Sequence, residues 1–485
     1  MSETKPTTFI IFGASGDLTA RKLIPALFNS YCKQRLPENF NIVGFARRPW
    51  DDAELRQVLK EGIQELAPDT YNEEQWAPFA QKISYAKGDL TTLEDFENLK
   101  DHLEKIENGS GNRLYYLAVA PRFFVPIVEN LGAADMVDQN GGWRRVVVEK
   151  PFGHDLASAQ ALNKAIQAVF EEDQIYRIDH YLGKETAQNI LYFRFANTIF
   201  EPVWNRNYVD NVQITVTESV DVGHRAGYYE EAGVVRDMFQ NHLMQLLSLV
   251  AMEPPASFEA NAVRNEKAKL FHAIRPLPLD QTVRAQYEGY LQTEEVAHGS
   301  QTPTYAAMEL FIDNWRWQGV PFYLRSGKAL TSKNTEIIVE FKQPPHLMFD
   351  DIKDEDFSAN SLSMCIQPDE GIHLKLEAKI PDSHKTQPVE MEFHYRSSFK
   401  GNHLPDAYER LLLDAVRGDA SLFTRADGIE AAWRLMDPVI YGWENDPYGP
   451  PMASYKHGSW GPEEAHALLN RSGRVWRHAC SHPEE

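Results

Sequence analysis

Over the first 180 residues, short apolar runs alternate with longer amphipathic ones. The runs FIIF, NIVGFA, ISYA, LYYLAV, RVVVEK and IYRI have the length of buried strands, and they lead to Gly13, Arg47, Lys87, Pro121, Pro151 and Asp179. Between them, the apolar spacing predicts helices that include 52–65, 91–107 and 155–170, the last opening with Asp155 in a first-turn position. Strands that alternate with helices predict a doubly wound parallel sheet.

Beyond residue 180 the pattern changes. VDNVQITVTESV alternates apolar with polar positions, and PFYLR, TEIIVEF, LSMCI, IHLKLEAKI and VEMEFHY follow, with QPDEG as a turn between two of them. Helices are expected over 232–250, 405–417 and 426–436. The expected fold is therefore an α/β, Rossmann-like doubly wound domain over 1–178, followed by a larger α+β domain with a mainly antiparallel sheet over 179–485. A chain of 485 residues also exceeds what one ordinary core organises.

Charge narrows the partners. A net charge of -21 argues against nucleic acid or an anionic membrane, because both are bound chiefly through Lys and Arg. An anionic ligand must then find a local basic pocket. Cys32, Cys365 and Cys480 fit neither a disulfide framework nor a metal-ligand spacing, which suggests a reducing cytosol. The N-terminus lacks an apolar signal core, and the run LMQLLSLVAM is about half the length that spans a bilayer. A cytoplasmic protein without a membrane partner is expected.

Candidate chemistry gathers at the strand ends, where open α/β sheets bind their ligands. Gly13-Ala14-Ser15-Gly16-Asp17-Leu18 follows the first strand and opens a helix, so free N–H groups and the helix dipole can cradle a pyrophosphate. The spacing is G-x-x-G, weaker than the full dinucleotide fingerprint, and a plain turn remains an alternative. Pro25 requires the helix to kink or restart. At the end of the second strand stand Arg47 and Arg48 in place of the acid that binds NAD ribose, which favours a 2′-phosphate and hence NADP, with NAD as a weaker alternative. Asp89, the triplet Glu149-Lys150-Pro151, and Asp179 with His180 continue the same rim. Pro151 either holds a cis bond or ends the strand. Lys150 either orients a nicotinamide or a substrate oxygen, or is an ordinary strand-end lysine.

A second constellation surrounds Asp237, Asn241 and His242, on a segment apolar over most of its circumference. On an α-helix, Asp237 and His242 lie about 140° apart, so both can edge one pocket without stacking. His242 is either a satisfied core residue or a general base. Asp179 is a candidate partner that would fix its tautomer and raise its basicity. Such a base must be neutral, so activity should fall on the acid side of its pKa. Lys328 and Lys333, around a Gly-containing turn, either hold a phosphate or form a solvated surface.

In order along the chain, GASGDL with Lys22, GFARR, KGDL, YLAVAP, EKPFGHDLASA, RIDHYLGKE, RAGYYEEAGVVRDMFQNHLMQ and PFYLRSGKAL resemble the glucose-6-phosphate dehydrogenase family. RIDHYLGKE after EKPFG is the most specific of these. The resemblance implies oxidation of β-D-glucose 6-phosphate to 6-phospho-D-glucono-1,5-lactone with NADP, in a homodimer or homotetramer that needs no metal. It implies His242 as base and Asp179 as its orienting partner. His180, Tyr181 and Lys184 would bind the sugar phosphate, with Lys328 and Lys333 nearby, and Glu218 and Asp237 would bind sugar hydroxyls. Lys150 would touch cofactor and substrate, and the glycine loop, Lys22, Arg47, Asp89 and Leu90 would hold the cofactor. Thr19 replaces a common alanine, Lys333 stands where some relatives have arginine, and nothing supports the second, structural NADP site of animal relatives.

Two other readings remain open. Glucose–fructose oxidoreductase relatives also carry Glu-Lys-Pro after a Rossmann strand, but a phosphate-free substrate would leave His180 and Lys184 without an anion. A cofactor-binding regulator would be expected to lose the base or its partner, whereas His242 and Asp179 are both present.

Overall fold

A computed structural model describes residues 5–346, 348, 358–383, 385–399 and 404–480. The chain divides into two compact units. One comprises 1–183 with the later segments 257–264 and 405–429, and the other 184–256, 265–404 and 430–485. The division is thus discontinuous in sequence.

The first unit is built on six parallel strands: β1 (Thr7–Phe12), β2 (Phe40–Ala46), β3 (Ile83–Lys87), β4 (Asn112–Leu117), β5 (Arg144–Val148) and β6 (Ile175–Arg177). Their order is β3-β2-β1-β4-β5-β6, the doubly wound arrangement expected. Every residue of β1 is buried, as a strand covered on both faces requires. Phe12 packs edge-on to Phe45 and stacked on Phe96, tying β1 to β2 and to helix Leu93–Ile106. Helix Leu156–Gln167 starts at Asp155, whose carboxylate accepts from the Ser158 N–H in a capping box.

Residues 405–429 complete this unit. Helix Ala407–Arg417 brings Glu409, which is 1% exposed, to Lys33 at 2.9 Å, Arg35 at 3.2 Å and Asn29 at 2.5 Å. Arg145 in β5 donates to the carbonyls of Ala415 and Val416, the unpaired acceptors of that helix's last turn.

The second unit holds β7 (Val209–Thr217), β8 (Thr282–Tyr287), β9 (Tyr305–Phe311), β10 (Pro321–Gly327), β11 (Asn334–Phe341), β12 (Ser361–Gln367), β13 (Gly371–Lys379), β14 (Thr386–His394) and β15 (Met452–Tyr455). They form one nine-stranded sheet in the order β14-β13-β12-β11-β7-β10-β9-β8-β15. It is mainly antiparallel, with β10 parallel to β7 and β15 parallel to β8. Among the described residues, no helix is long and apolar enough to cross a membrane.

Two expectations are corrected here. The predicted helix 232–250 is three pieces: an α-helix Ala226–Val234, a π-helix Val235–Leu243 and an α-helix Met244–Ala251. Gly233 takes φ +61°, a left-handed conformation open to glycine, and breaks the helical path. The Met244 N–H bonds to the Phe239 carbonyl, five residues back. With about 4.4 residues per π-helical turn, Asp237 and His242 lie about 50° apart, toward one face, so the α-helical separation of about 140° does not apply.

The second correction concerns cysteine. Cys365 in β12 is joined to Cys480, with Cα atoms 5.6 Å apart across 115 residues of sequence, and Cys32 is free. Cross-strand register explains the pairing. Glu336 of β11 lies opposite Cys365, and its carboxylate accepts the N–H groups of Ala479 and Cys480 at 3.1 and 3.2 Å, which delivers one sulfur to the other. The reading of a reducing compartment from cysteine usage loses its basis.

Candidate active site

In the first unit, strand order reverses between β1 and β4, so the loops after these two strands diverge and leave a crevice. Gly13 follows β1 with φ +86°, and a Cβ there would sit 2.3 Å from the Ala118 carbonyl oxygen beyond β4. Only glycine permits that approach. The loop closes on itself, since Gly16 N–H and the Thr19 hydroxyl both donate to the Gly13 carbonyl. Thr19 thereby makes a bond that alanine could not. Behind the loop, a π-turn Thr19–Leu23 passes into helix Ile24–Cys32, with Pro25 near its start where a missing N–H costs little.

The crevice encloses about 530 Å³, and its lining includes Gly13, Ser15, Gly16, Arg47, Arg48 and Leu90. Ala46, Ala118, Val119, Ala120 and Phe123 complete it. The last four are not marked residue by residue in the sequence, although YLAVAP at the end of β4 and the strand-end rule together point to Ala118, Val119 and Ala120. Ala14, Asp17, Leu18, Lys22, Asp89 and Lys150 do not line the crevice. Ala14 is buried, Asp17 pairs with Arg21, and Lys22 lies 2.8 Å from Asp406. Asp89 sits 3.9 Å from Arg47, and hydrogen bonds from Thr91 hold its carboxyl below the ordinary range, so it stays ionised beside the guanidinium. Arg48 lies over the Trp50 ring.

At the end of β5, the Lys150–Pro151 peptide is cis. Glu149 accepts a 2.5 Å hydrogen bond from the Tyr116 hydroxyl and a second from Tyr408; burial nonetheless pushes its carboxyl up. Beyond β6, Asp179 is 2% exposed and its carboxylate accepts the Tyr181 N–H at 3.0 Å. The His180 and Tyr181 rings lie against one another. These residues belong to the first unit, whereas Lys184 opens the second and bonds to Gln367.

In the second unit, the parallel register of β7 and β10 sets Thr217 beside Gly327. The next residues, Glu218 and Lys328, therefore emerge together and form an ion pair. Lys328 also sits over the Tyr229 ring, 5.0 Å from its centre. Burial, then the charge of Asp237, drives the Tyr229 phenol well above its usual value. Glu218, Lys328, Tyr229 and Asp237 thus form one electrostatic cluster. The π-helix that carries Asp237 also carries His242, which is 1% exposed and whose N–H donates to the Asn241 side chain at 2.6 Å. Lys333 stands exposed directly before β11. An acid, a lysine and a buried imidazole in one unit can bind hydroxyls and accept a proton.

Comparison with known proteins places both parts of the chain in one family. The family described as the NAD binding domain of glucose-6-phosphate dehydrogenase matches residues 10–189, and that of its C-terminal domain matches residues 191–477. Glucose-6-phosphate 1-dehydrogenase 2 of Mycobacterium tuberculosis is 44% identical over 97% of this chain and 94% of its own length. The Chlamydia pneumoniae glucose-6-phosphate 1-dehydrogenase is 43% identical over 97% and 96%. A solved glucose-6-phosphate dehydrogenase in complex with its substrate glucose-6-phosphate superposes with a TM-score of 0.91 at 35% identity, covering 99% of this chain and 100% of that one. The Mycobacterium avium enzyme gives 0.85 at 36% identity, over 97% and 99%. The chain belongs to the glucose-6-phosphate dehydrogenase family of oxidoreductases.

Proposed function

We propose that the protein oxidises β-D-glucose 6-phosphate to 6-phospho-D-glucono-1,5-lactone with NADP, the first step of the oxidative pentose phosphate pathway. The observation that carries this reading is the glycine-cradled crevice edged by Arg47 and Arg48 in a chain of this family. The fit to a dinucleotide is steric as well as electrostatic. The space a Gly13 Cβ would fill is left for the loop to close against the strand after β4, and two arginines supply charge for a 2′-phosphate. NADP, when bound, supplies the hydride acceptor.

The remaining chemistry belongs to the chain. His242, as neutral imidazole, takes the proton of the anomeric hydroxyl, and Asp179 is its orienting carboxylate. His180, Tyr181 and Lys184 hold the substrate phosphate, with Lys328 and Lys333 adding charge. Glu218 and Asp237 receive sugar hydroxyls, and Lys150 orients substrate against cofactor. On the cofactor side, Ala14, Asp17 and Leu18 shape the glycine loop, and Lys22, Asp89 and Leu90 border it. This assignment follows the motif positions, and it is supported by the shared face of Asp237 and His242 and by the Glu218–Lys328 pair. The reading places the enzyme in the cytoplasm as a homodimer or homotetramer, on the strength of the family activity and not of cysteine usage.

The test is absorbance of the reduced nicotinamide with glucose 6-phosphate and either NADP or NAD, with unphosphorylated glucose as control. Rapid reduction of NADP with the phosphorylated sugar alone is expected. Measurable NADP binding without reduction by either sugar would make the chain a cofactor-binding regulator.

A further inference from the structure

The face of the sheet formed by β12, β13 and β14 carries a cluster of metal-ligand side chains that the proposed oxidation does not use. Antiparallel register sets His373 of β13 opposite Glu392 of β14, and alternation along β14 puts Glu390 and His394 on the same face. The donor atoms of His373, Glu390 and Glu392 all lie within 4.8 Å of one another. His394 stands at the same edge: its Nε2 is 3.4 Å from a Glu392 oxygen, and its ring centre is 5.0 Å from that of His373. Its other nitrogen, Nδ1, lies 3.2 Å from Asp369. A carboxylate behind the second nitrogen of an imidazole is the arrangement that orients histidine metal ligands. A cavity of about 110 Å³ adjoins His373 and Glu390.

We propose that His373, Glu390, Glu392 and His394 bind a divalent transition-metal ion of the zinc type, with Asp369 as a positioning residue. Two imidazoles with two carboxylates suit a borderline cation and not a hard one such as magnesium. Bonds of about 2 Å in tetrahedral geometry require donor atoms about 3.3 Å apart. The donors of His373, Glu390 and Glu392, within 4.8 Å of one another, can reach that spacing by side-chain rotation of the exposed Glu390 and Glu392. His373 is 3% exposed and fixes one corner. Lys375, opposite Glu390, competes for one carboxylate, while Arg477 at the cavity wall is engaged by Glu340 at 2.8 Å. A bound ion would clamp β13 to β14 at the edge of the sheet.

Cobalt(II), titrated into the full-length protein, reports directly on four-coordinate geometry through its visible absorption bands. One equivalent should give those bands at micromolar concentration, and zinc should displace it and raise the melting temperature. His394→Gln and Glu392→Gln, both at partly or fully exposed positions and checked for folding by circular dichroism, should abolish the bands. Asp369→Asn should weaken binding about 10–100-fold. Absence of saturable binding, or bands that survive the double variant His394→Gln/Glu392→Gln, would overturn the assignment.

Discussion

His242 concentrates the chemistry of the proposed reaction in one side chain. A buried imidazole on a π-helix cannot drift as a surface histidine does, and the wide turn aligns it with Asp237 on one face. His242→Asn keeps a polar side chain of similar reach but removes the proton acceptor. Turnover should fall by about two to four orders of magnitude, with the dissociation constant for glucose 6-phosphate nearly unchanged by calorimetry; a variant that keeps most of its rate removes His242 from the base role. Arg47 acts through a different term. Its guanidinium faces the crevice and is only loosely engaged by Asp89 at 3.9 Å. Arg47→Ala should raise the KM for NADP at least about tenfold, the loss of one charge-assisted contact, and leave that for NAD almost unaltered. Equal increases for both would contradict the 2′-phosphate assignment. Both residues stand out in the sequence because each sits in a motif. Tyr408, bonded to Glu149, does not, since more than 250 residues separate the partners and no local pattern links them.

Among the elements, β1 to β6 were legible because each is a short apolar run that ends at a turn-forming or polar position. β8, β9 and β15 are not singled out by pattern: TVRAQY alternates, but over six residues only and with small Ala285 on its apolar face, YAAMELF lacks clear alternation, and MASY is four residues long. The π-helix was illegible because its apolar pattern also fits an α-helix. The C-terminal strap, residues 471–480, is held to the sheet by the Cys365–Cys480 disulfide and by polar contacts. Arg474 grips Asp210 through two bonds of 2.7 and 2.8 Å, and Arg477 reaches Glu340. Burial pushes the Asp210 carboxyl up, but the Arg474 and Asn211 bonds outweigh it and hold it below the ordinary value of 3.8. A carboxyl held low stabilises the fold above that value and loses its contribution as pH falls through the folded pKa. Asp210→Asn should therefore cost no more than about 1 kcal/mol at neutral pH, because the pair is partly solvated. The gap should close in acid. Urea midpoints measured for both proteins between neutral and acidic pH check this; a gap that persists or widens in acid would reject the ion pair as its source.

At the scale of the whole molecule, the first unit is not a product of the N-terminal sequence alone. Helix Ala407–Arg417 packs on helix Ile24–Cys32. It buries Leu411, Leu412 and Leu413, and it inserts the Glu409 carboxylate among Lys33, Arg35 and Asn29. Each leucine contributes about 1.5–3 kcal/mol when fully buried, and their loss together is comparable with the whole stability of a domain, about 5–15 kcal/mol. Losing Glu409 adds less, because Lys33 and Arg35 are 35% and 48% exposed and regain water. A fragment of residues 1–183 should accordingly unfold without a cooperative transition, or at a much lower urea concentration than the same unit in the full chain. Restoring residues 405–429 should recover it. The connection can be short, because a Cβ on Gly183 would lie 2.7 Å from the Ala407 carbonyl oxygen, so the two ends to be joined are already adjacent. A fusion of 1–183 to 405–429 through a few glycines and serines should regain a single cooperative transition by circular dichroism, and Glu409→Ala within it should lower the midpoint further than Glu409→Gln, which keeps an acceptor for Asn29. If 1–183 alone unfolds at the same midpoint as the fusion, the later segment is a passenger on a sheet that folds without it.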